Sequence, residues 1–583
     1  MTIRFLAVHA PETALSFDNR KRIEQATGLE WVGAAGSADI FVTSKADCVV
    51  FADGSGIVVG HLFSRTAGFP RVTTPLAGPA GTDPGLKFSM LLKDFWGGYV
   101  TFGAATDRPE VRVLRDPSGT LPCYYHSSPG TIALASDVET LSLAGFASRE
   151  VDWTYLGHHL FCQDLRSPKT ALSAVKDLLP GFQIQISGME VSTSVAWSPW
   201  DFVTPLSLQS DPSKRLEETI DQCVRAWAAC FNHILAPASG GLDSSIVCAS
   251  LAAQTTLWDC LNMATDEPEG DERYYARILA ARWDKPLIEA FHHAGDVDIA
   301  RSTSVHLPRP HGYPFVQSEE KITNEMVARL EIDAIFTGHG GDNVFCFLQS
   351  ATPFLDRILT EGPGPGAWHT LCDICRLTGC GLYDVIAMAA GRFVQGSASY
   401  KWQGDVSYLA SSDPASAPLI HPWLNAPQGA LPGKAVHIAA LLRIQGSLES
   451  ASRFGPAPLI APFLSQPIVE LCLSIPTWKW CEGGVNRAVA RRAFSSRLPA
   501  EVIGRRWKGG PNSYCLDVVA RRRNELRAFL SDGMLAKHGV LDTASLDALF
   551  NQPGPIGPPD HLRLGALAEA EAWARHWHDI SSQ

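Results

Sequence analysis

Seven consecutive residues, Ser239-Gly240-Gly241-Leu242-Asp243-Ser244-Ser245, combine the groups that bind a polyphosphate. Two adjacent glycines let backbone N–H groups approach an anion closely, and the serines add hydroxyl donors. The Ile/Val/Ala/Leu-rich stretch that follows, to Ala253, predicts a helix whose positive N-terminal end points at the same place. A carboxylate is a poor choice against bare phosphate, so Asp243 makes sense where Mg²⁺ bridges protein and polyphosphate. A plain turn with a helix cap would need only one glycine and one serine. The Gly-Lys-Ser/Thr ending of a Walker A loop is absent.

The elements that must hold this loop follow from the pattern around it. Residues 233–237 form a short apolar run directly before it, so the order is strand, glycine-rich turn, helix. A second apolar run, 330–337, also ends at a glycine-rich turn, Gly338-His339-Gly340-Gly341-Asp342. Two such units predict a parallel α/β sheet with its ligand site at the carboxyl ends of the strands. The first half reads as β-rich, with strands expected at 39–42, 48–52, 56–63 and 110–115 between Gly, Pro and Asp punctuation. Loop-like sequence around 199–213 gives way to helical spacing at 216–231, which sets a domain boundary near residue 205. Residues 361–366 read as a surface loop.

Composition sets the class. A chain of 583 residues exceeds what one core supports, which predicts at least two domains. With 45% apolar and 19% charged residues and no long uncharged apolar run, it is a globular chain without a membrane span. The N-terminus lacks the marks of a signal or transit peptide, so a cytoplasmic location is expected. The 14 cysteines then read as reduced thiols, and a net charge of −11 argues against a nucleic-acid partner.

The SGGxDSS pattern resembles the PP-loop of ATP pyrophosphatases, which cleave ATP between the α and β phosphates. Thr337-Gly338-His339-Gly340-Gly341-Asp342-Asn343 resembles the Ser-Gly-Glu-Gly-x-Asp-Glu stretch of asparagine synthetases. The resemblance implies ATP and Mg²⁺ as cofactors, with Asp243 and Asp342 as the magnesium-binding carboxylates. It implies a nucleotide site of Ser239, Gly240, Gly241, Leu242, Asp243, Ser244, Ser245, Met263 and Gly338. Pro462-Phe463-Leu464, Arg487, Arg491 and Arg505-Arg506-Trp507-Lys508-Gly509 continue the family order, and Lys508 falls on the lysine that stabilises charge on the adenylate. His339 stands where asparagine synthetases carry Glu and β-lactam synthetases Tyr. It is either a base for an attacking amine or a histidine that hydrogen-bonds its loop.

Trp96-Gly97-Gly98, Arg115-Asp116-Pro117-Ser118-Gly119 and Ala135-Ser136-Asp137 resemble class II glutamine amidotransferase domains. The expected fold is therefore α/β in two parts. Residues 1–205 are a degenerate Ntn-hydrolase sandwich, and 206–583 a PP-loop ATP pyrophosphatase α/β domain with added helices. Glutamine hydrolysis in that family needs a first-residue cysteine; residue 2 here is Thr, and the earliest cysteine is Cys48. Glutaminase activity is not expected, so the acceptor amine comes with the substrate.

Gly340-Gly341-Asp342-Asn343-Val344-Phe345, Gly60-His61-Leu62-Phe63, His421-Pro422-Trp423-Leu424 and Pro462-Phe463-Leu464-Ser465-Gln466-Pro467 resemble lasso peptide cyclases. Such enzymes adenylate an Asp or Glu side chain of a leaderless core peptide, whose own α-amine closes a macrolactam. The resemblance implies a leader-binding protein and a leader protease as partners. A β-lactam or other small-molecule amide synthetase, and a non-catalytic peptide-holding scaffold, are the alternatives. Two further clusters are weighed. His369, Cys372, Cys375 and Cys380 supply four zinc-type ligands, although the spacing of the first three reads as a buried helix face. Arg521-Arg522-Arg523 reads as a solvated helix face.

Overall fold

The side chains of residues 5–8 alternate between two apolar layers, and that alternation organises the N-terminal half. The computed structural model describes residues 2–11, 15–78, 83–104, 110–146, 150–204, 211–265, 267, 270–396, 398–410, 420–450, 455–505 and 509–581. Along the first part come β1 (Phe5–His9), α1 (Phe17–Thr27), β2 (Glu30–Ala35), β3 (Ala38–Val42), β4 (Cys48–Val50), β5 (Gly56–Ser64), α2 (Pro84–Asp94), β6 (Phe95–Ala104) and β7 (Glu110–Arg115). Then follow β8 (Tyr124–Ser128), β9 (Thr131–Ala135), α3 (Val138–Leu143), α4 (Trp153–Phe161), β10 (Val175–Asp177), β11 (Phe182–Ser187) and β12 (Glu190–Val195). They form two six-stranded antiparallel sheets, ordered β10-β8-β9-β1-β3-β2 and β12-β11-β7-β6-β5-β4.

Phe5 and Ala7 face the second sheet, where Phe5 meets the Phe102 ring at 5.6 Å and joins Val59, Val100 and Ile184. Leu6 and Val8 point the other way, beneath Ile23 of α1 and Leu141 of α3. The outer face of the second sheet, with Val58, Tyr99 and Leu114, is covered by Phe88 and Leu91 of α2. The layers are helix, sheet, sheet, helix, each burying the apolar face of the next.

The second part begins at α5 (Pro212–Ala228), where the Asp211 side chain accepts from the Ser213 N–H and Pro212 opens the helix. The helix expected at 216–231 thus starts and ends earlier than its apolar spacing suggested. The proposed boundary near 205 falls in 205–210, outside the described residues. Next come β13 (His233–Pro237), α6 (Leu242–Leu251), β14 (Leu257–Ala264), α7 (Arg273–Arg282), β15 (Leu287–Phe291), α8 (Val316–Leu330), β16 (Ala334–Phe336), α9 (Gly341–Val344), α10 (Thr352–Glu361), α11 (Pro365–Thr378), α12 (Leu382–Val394), α13 (Pro432–Ser450) and β17 (Leu459–Ile460). The five strands are parallel in the order β15-β14-β13-β16-β17. Strand order reverses between β13 and β16, so the crevice beyond their carboxyl ends is the topological switch point.

Several local expectations change. The apolar run 330–337 is divided: Leu330 ends α8, Glu331 caps it in the left-handed region (φ 55°), and only Ala334–Phe336 are strand. Residues 361–366 are not an extended loop, because Glu361 ends α10 and Pro365 starts α11. The arginine run breaks a helix instead of lying on one. Arg521 closes the helix Asn512–Arg521, and Arg523 opens the next and donates to the carbonyls of Phe550, Gln552 and Gly554. The buried face of α11 is Ala367, Leu371 and Ile374; Cys372, Cys375 and Cys380 are half-buried and His369 is exposed. Among the described residues no group of three or more His, Cys, Asp and Glu side chains could hold a metal ion, the α11 cluster included. Nor is any single described helix long and apolar enough to cross a membrane.

The two parts share one continuous core and a buried ionic cluster. Arg115 and Arg166, with Asp177, meet Arg309 and Glu449 at 2.6–3.2 Å, all with almost no exposure. Tyr124 adds a hydroxyl donor to Glu449 at 2.9 Å.

Candidate active site

The loops after β13 and β16 lie side by side because two glycines remove the atoms that would separate them. A Cβ on Gly338 would fall 2.5 Å from the Ser244 backbone nitrogen, and one on Gly341 would fall 2.5 Å from Asp243 Oδ1. Gly240 takes the left-handed conformation (φ 64°) and packs so tightly on Tyr275 that a Cβ there would overlap it. Gly241 is the N-cap of α6, and no side chain caps that helix, whose first turn carries Leu242, Asp243 and Ser244. The serines brace the turn: Ser239 Oγ lies 2.9 Å from Ser244 Oγ, and Ser245 donates to Gly241 O at 2.7 Å. This is a compact anion cradle at a helix N-terminus.

The two carboxylates come together on one cation. Arg487 Nη1 lies 2.7 Å from Asp243 Oδ2 and 2.5 Å from Asp342 Oδ1. Arg487 itself adopts a left-handed backbone (φ 53°) and carries its guanidinium over the Phe347 ring at 5.5 Å. A bulky residue holds that conformation only where its surroundings impose it. Two carboxylate oxygens sharing one cationic nitrogen, beside an anion cradle, are the donor set that Mg²⁺ and a polyphosphate require. The residues present therefore fit the ion.

Other residues complete the rim. Arg505 donates to Ser239 O at 3.3 Å, pairs with Glu272 at 2.8 Å and lies over Tyr275 at 4.2 Å. Buried Arg491 donates to Ile503 O and Arg505 O, fixing the backbone that leads into 506–508. Lys508 lies outside the described residues. Met263 sits half-buried near the carboxyl end of β14, the neighbour of β13. Sequence reading placed Arg487 and Arg505 in a family order without a role. Their carboxylate partners lie more than 140 residues away in the chain, so no local pattern marks the pairing.

His339 is exposed at the tip of its loop and lines a cavity of about 300 Å³ with His159, Asp164, His311, Tyr313 and Ser447. The cavity draws on both halves of the protein. By contrast, the N-terminal half shows no activated thiol among its described residues. Burial pushes Cys48 and Cys123 each up to about 12, and raises Cys162 as well. Such thiols are poor nucleophiles at neutral pH.

The segments that resemble lasso peptide cyclases are mostly packing. His61 stands edge-on to Trp227 at 5.3 Å, and His421 against Trp423 at 5.1 Å, with Trp423 meeting Trp197 across the junction of the two halves.

An asparagine synthase family model matches residues 215–377 and 456–578, a little under half of the chain. Both site loops lie in the first matched segment, and Arg487 and Arg505 in the second. This match supports the asparagine synthetase superfamily and, with it, ATP-dependent amide-bond formation in general. No curated protein matches the chain. Among solved structures it is similar to the glutamine phosphoribosylpyrophosphate amidotransferase of B. subtilis complexed with ADP and GMP, at 10% identity and TM-score 0.20, over 49% of this chain and 65% of that one. It is also similar to a structure described as the allosteric regulatory enzyme of purine biosynthesis, at 8% identity and TM-score 0.19, over 50% of this chain and 74% of that one.

Proposed function

We propose that the protein is an ATP-dependent ligase that closes a macrolactam in lasso peptide maturation. A side-chain carboxylate of Asp or Glu in a leaderless core peptide attacks the α-phosphorus of ATP. The α–β bridging P–O bond breaks, and pyrophosphate leaves. The peptide's α-amine then attacks the acyl carbon, the C–O bond to AMP breaks, and the amine gives up a proton as the amide forms.

The observation that carries this reading is the meeting of Asp243 and Asp342 on Arg487 at the switch point, beside the Ser239–Ser245 cradle. The backbone N–H groups and serines of that cradle bind and orient the phosphates, which places the α-phosphorus toward the incoming carboxylate. Asp243 and Asp342 would hold Mg²⁺, which offsets negative charge on the pyrophosphate as it leaves. Arg487 is the cation at hand for the same charge, and Lys508 is assigned the charge on the adenylate. His339, at the mouth of the cavity, accepts the amine's proton. The resemblance of four sequence segments to lasso peptide cyclases favours a peptide over a small-molecule substrate. On this reading a leader-binding protein and a leader protease deliver the core peptide.

The test is intact-mass spectrometry of the linear core peptide encoded beside this gene, incubated with the protein, ATP and Mg²⁺, with AMP followed in parallel. Loss of one water per AMP released is expected. Turnover with small carboxylates alone would replace this reading with a small-molecule amide synthetase, and no nucleotide turnover would leave a peptide-holding scaffold.

A further inference from the structure

The cavity behind His339 has a wall that the ATP chemistry does not use. It is supplied by the N-terminal part of the chain, from the end of α4 and the residues after it: His159, Leu160, Gln163 and Asp164. We propose that this wall is a subsite for the primary ammonium group of the acceptor, with Asp164 as its counter-ion and His159 as a second acceptor.

Two observations support it. First, the described lining holds one carboxylate, Asp164, and no Lys or Arg. The Asp164 side chain is 39% exposed, and its carboxylate faces His311 Nε2 only at 4.0 Å. Arg443, the cation whose field reaches Asp164, is turned to the Tyr400 hydroxyl at 3.2 Å and stacks over Trp402 at 4.5 Å. Burial raises the Asp164 carboxyl, and an arriving ammonium would relieve that cost.

Second, His159 is only 5% exposed, and its Nε2 lies 2.8 Å from Pro310 O. A carbonyl accepts only from a protonated nitrogen, so Nε2 carries the hydrogen and Nδ1 is a bare acceptor. That Nδ1 has no hydrogen-bond partner although it is buried. Burial and the Arg309 charge push this histidine down to about 3, which keeps Nδ1 an acceptor at physiological pH. A buried, unused acceptor calls for a donor, and an ammonium has three.

His159 and Asp164 line one cavity, so a carboxylate backed by a buried acceptor nitrogen selects a donor-rich cation over a neutral amide. The inference rests on the amide-ligase reading, because that reading supplies an attacking amine at His339. It also gives the N-terminal half a part in substrate recognition.

The experiment uses the full-length protein and two probes, glycyl-glycinamide and its N-acetyl form, compared by saturation-transfer NMR. In parallel, a fluorescent Mg·ATP analogue reports the nucleotide site. The free-amine probe should bind at least tenfold more tightly than the acetylated one. Asp164→Asn should erase that preference while leaving nucleotide affinity unchanged. His159→Phe, which keeps the ring and removes the acceptor nitrogen, should weaken the preference. Equal binding of the two probes, no binding of either, or discrimination that survives Asp164→Asn would overturn the subsite. Failure of the nucleotide analogue to bind, with amine discrimination intact, would instead overturn the ligase reading and leave the subsite standing.

Discussion

The Asp243 carboxylate fills the space that a side chain at residue 341 would need, since a Cβ on Gly341 would fall 2.5 Å from Asp243 Oδ1. The two site loops are thus in register through one missing methyl group. Gly341→Ala should displace the carboxylate while leaving the surrounding sheet folded. The expected result is an AMP-forming turnover lowered roughly 10²–10³-fold, with a matching loss of Mg²⁺-dependent nucleotide affinity. Unchanged Mg²⁺ dependence in this variant would remove Asp243 from the metal site.

Arg487 neutralises two carboxylates that would otherwise repel each other. Arg487→Met should therefore separate two effects. Free Mg²⁺ should stabilise the variant at several-fold lower concentration than the native protein, because the ion no longer competes with a guanidinium. Turnover should nevertheless fall about 10²-fold, through lost charge stabilisation. Thermal shift against Mg²⁺ and AMP release measure the two separately, and an unaltered Mg²⁺ midpoint would mean the carboxylates do not share an ion.

What the sequence reveals here is local. The Ser239–Ser245 cradle was legible because turn, anion donors and helix start are consecutive residues. The strand 110–115 was legible because a short apolar run has turn residues on both sides. The run 330–337 misled because apolarity alone does not separate the last turn of α8 from β16; Glu331 in a left-handed cap does. Arg487 could be placed in order but not in role, since its partners are brought to it by sheet order. The cavity wall at His159 and Asp164 was invisible for the same reason: it exists only where α4 meets the Pro310 segment.

Glu449 is the hub of the buried cluster, accepting from Arg115, Arg166, Arg309 and Tyr124. Glu449→Ala leaves three buried guanidinium groups with Asp177 alone. Breaking a buried ion pair from one side costs about 3–5 kcal/mol, so a large fall in urea midpoint is expected. Asp517→Ala, which removes the exposed partner of Arg521, should cost less than about 1 kcal/mol and move the midpoint little. Similar midpoints for the two variants would show that the cluster does not join the halves energetically.

Buried histidines make the fold acid-sensitive over a definable range. Burial pushes His61, His159, His421 and His437 each down to about 3, and His311 to about 4. An unfolded chain takes up protons on these groups near pH 6.5, whereas the folded chain does not until far lower pH. Between those values the unfolded state binds more protons, so stability rises with pH and is lost as pH falls from about 6.5 toward 4. Each such histidine contributes a slope of about 1.4 kcal/mol per pH unit. His437 isolates one of them, because its Nε2 lies 3.0 Å from Val344 O and a glutamine can keep that donor without titrating. Urea midpoints of the native protein and His437→Gln, measured from pH 7 to pH 4.5, should diverge by that slope, with the variant the less acid-sensitive. Parallel curves would mean that His437 titrates in the folded protein as it does in the unfolded chain.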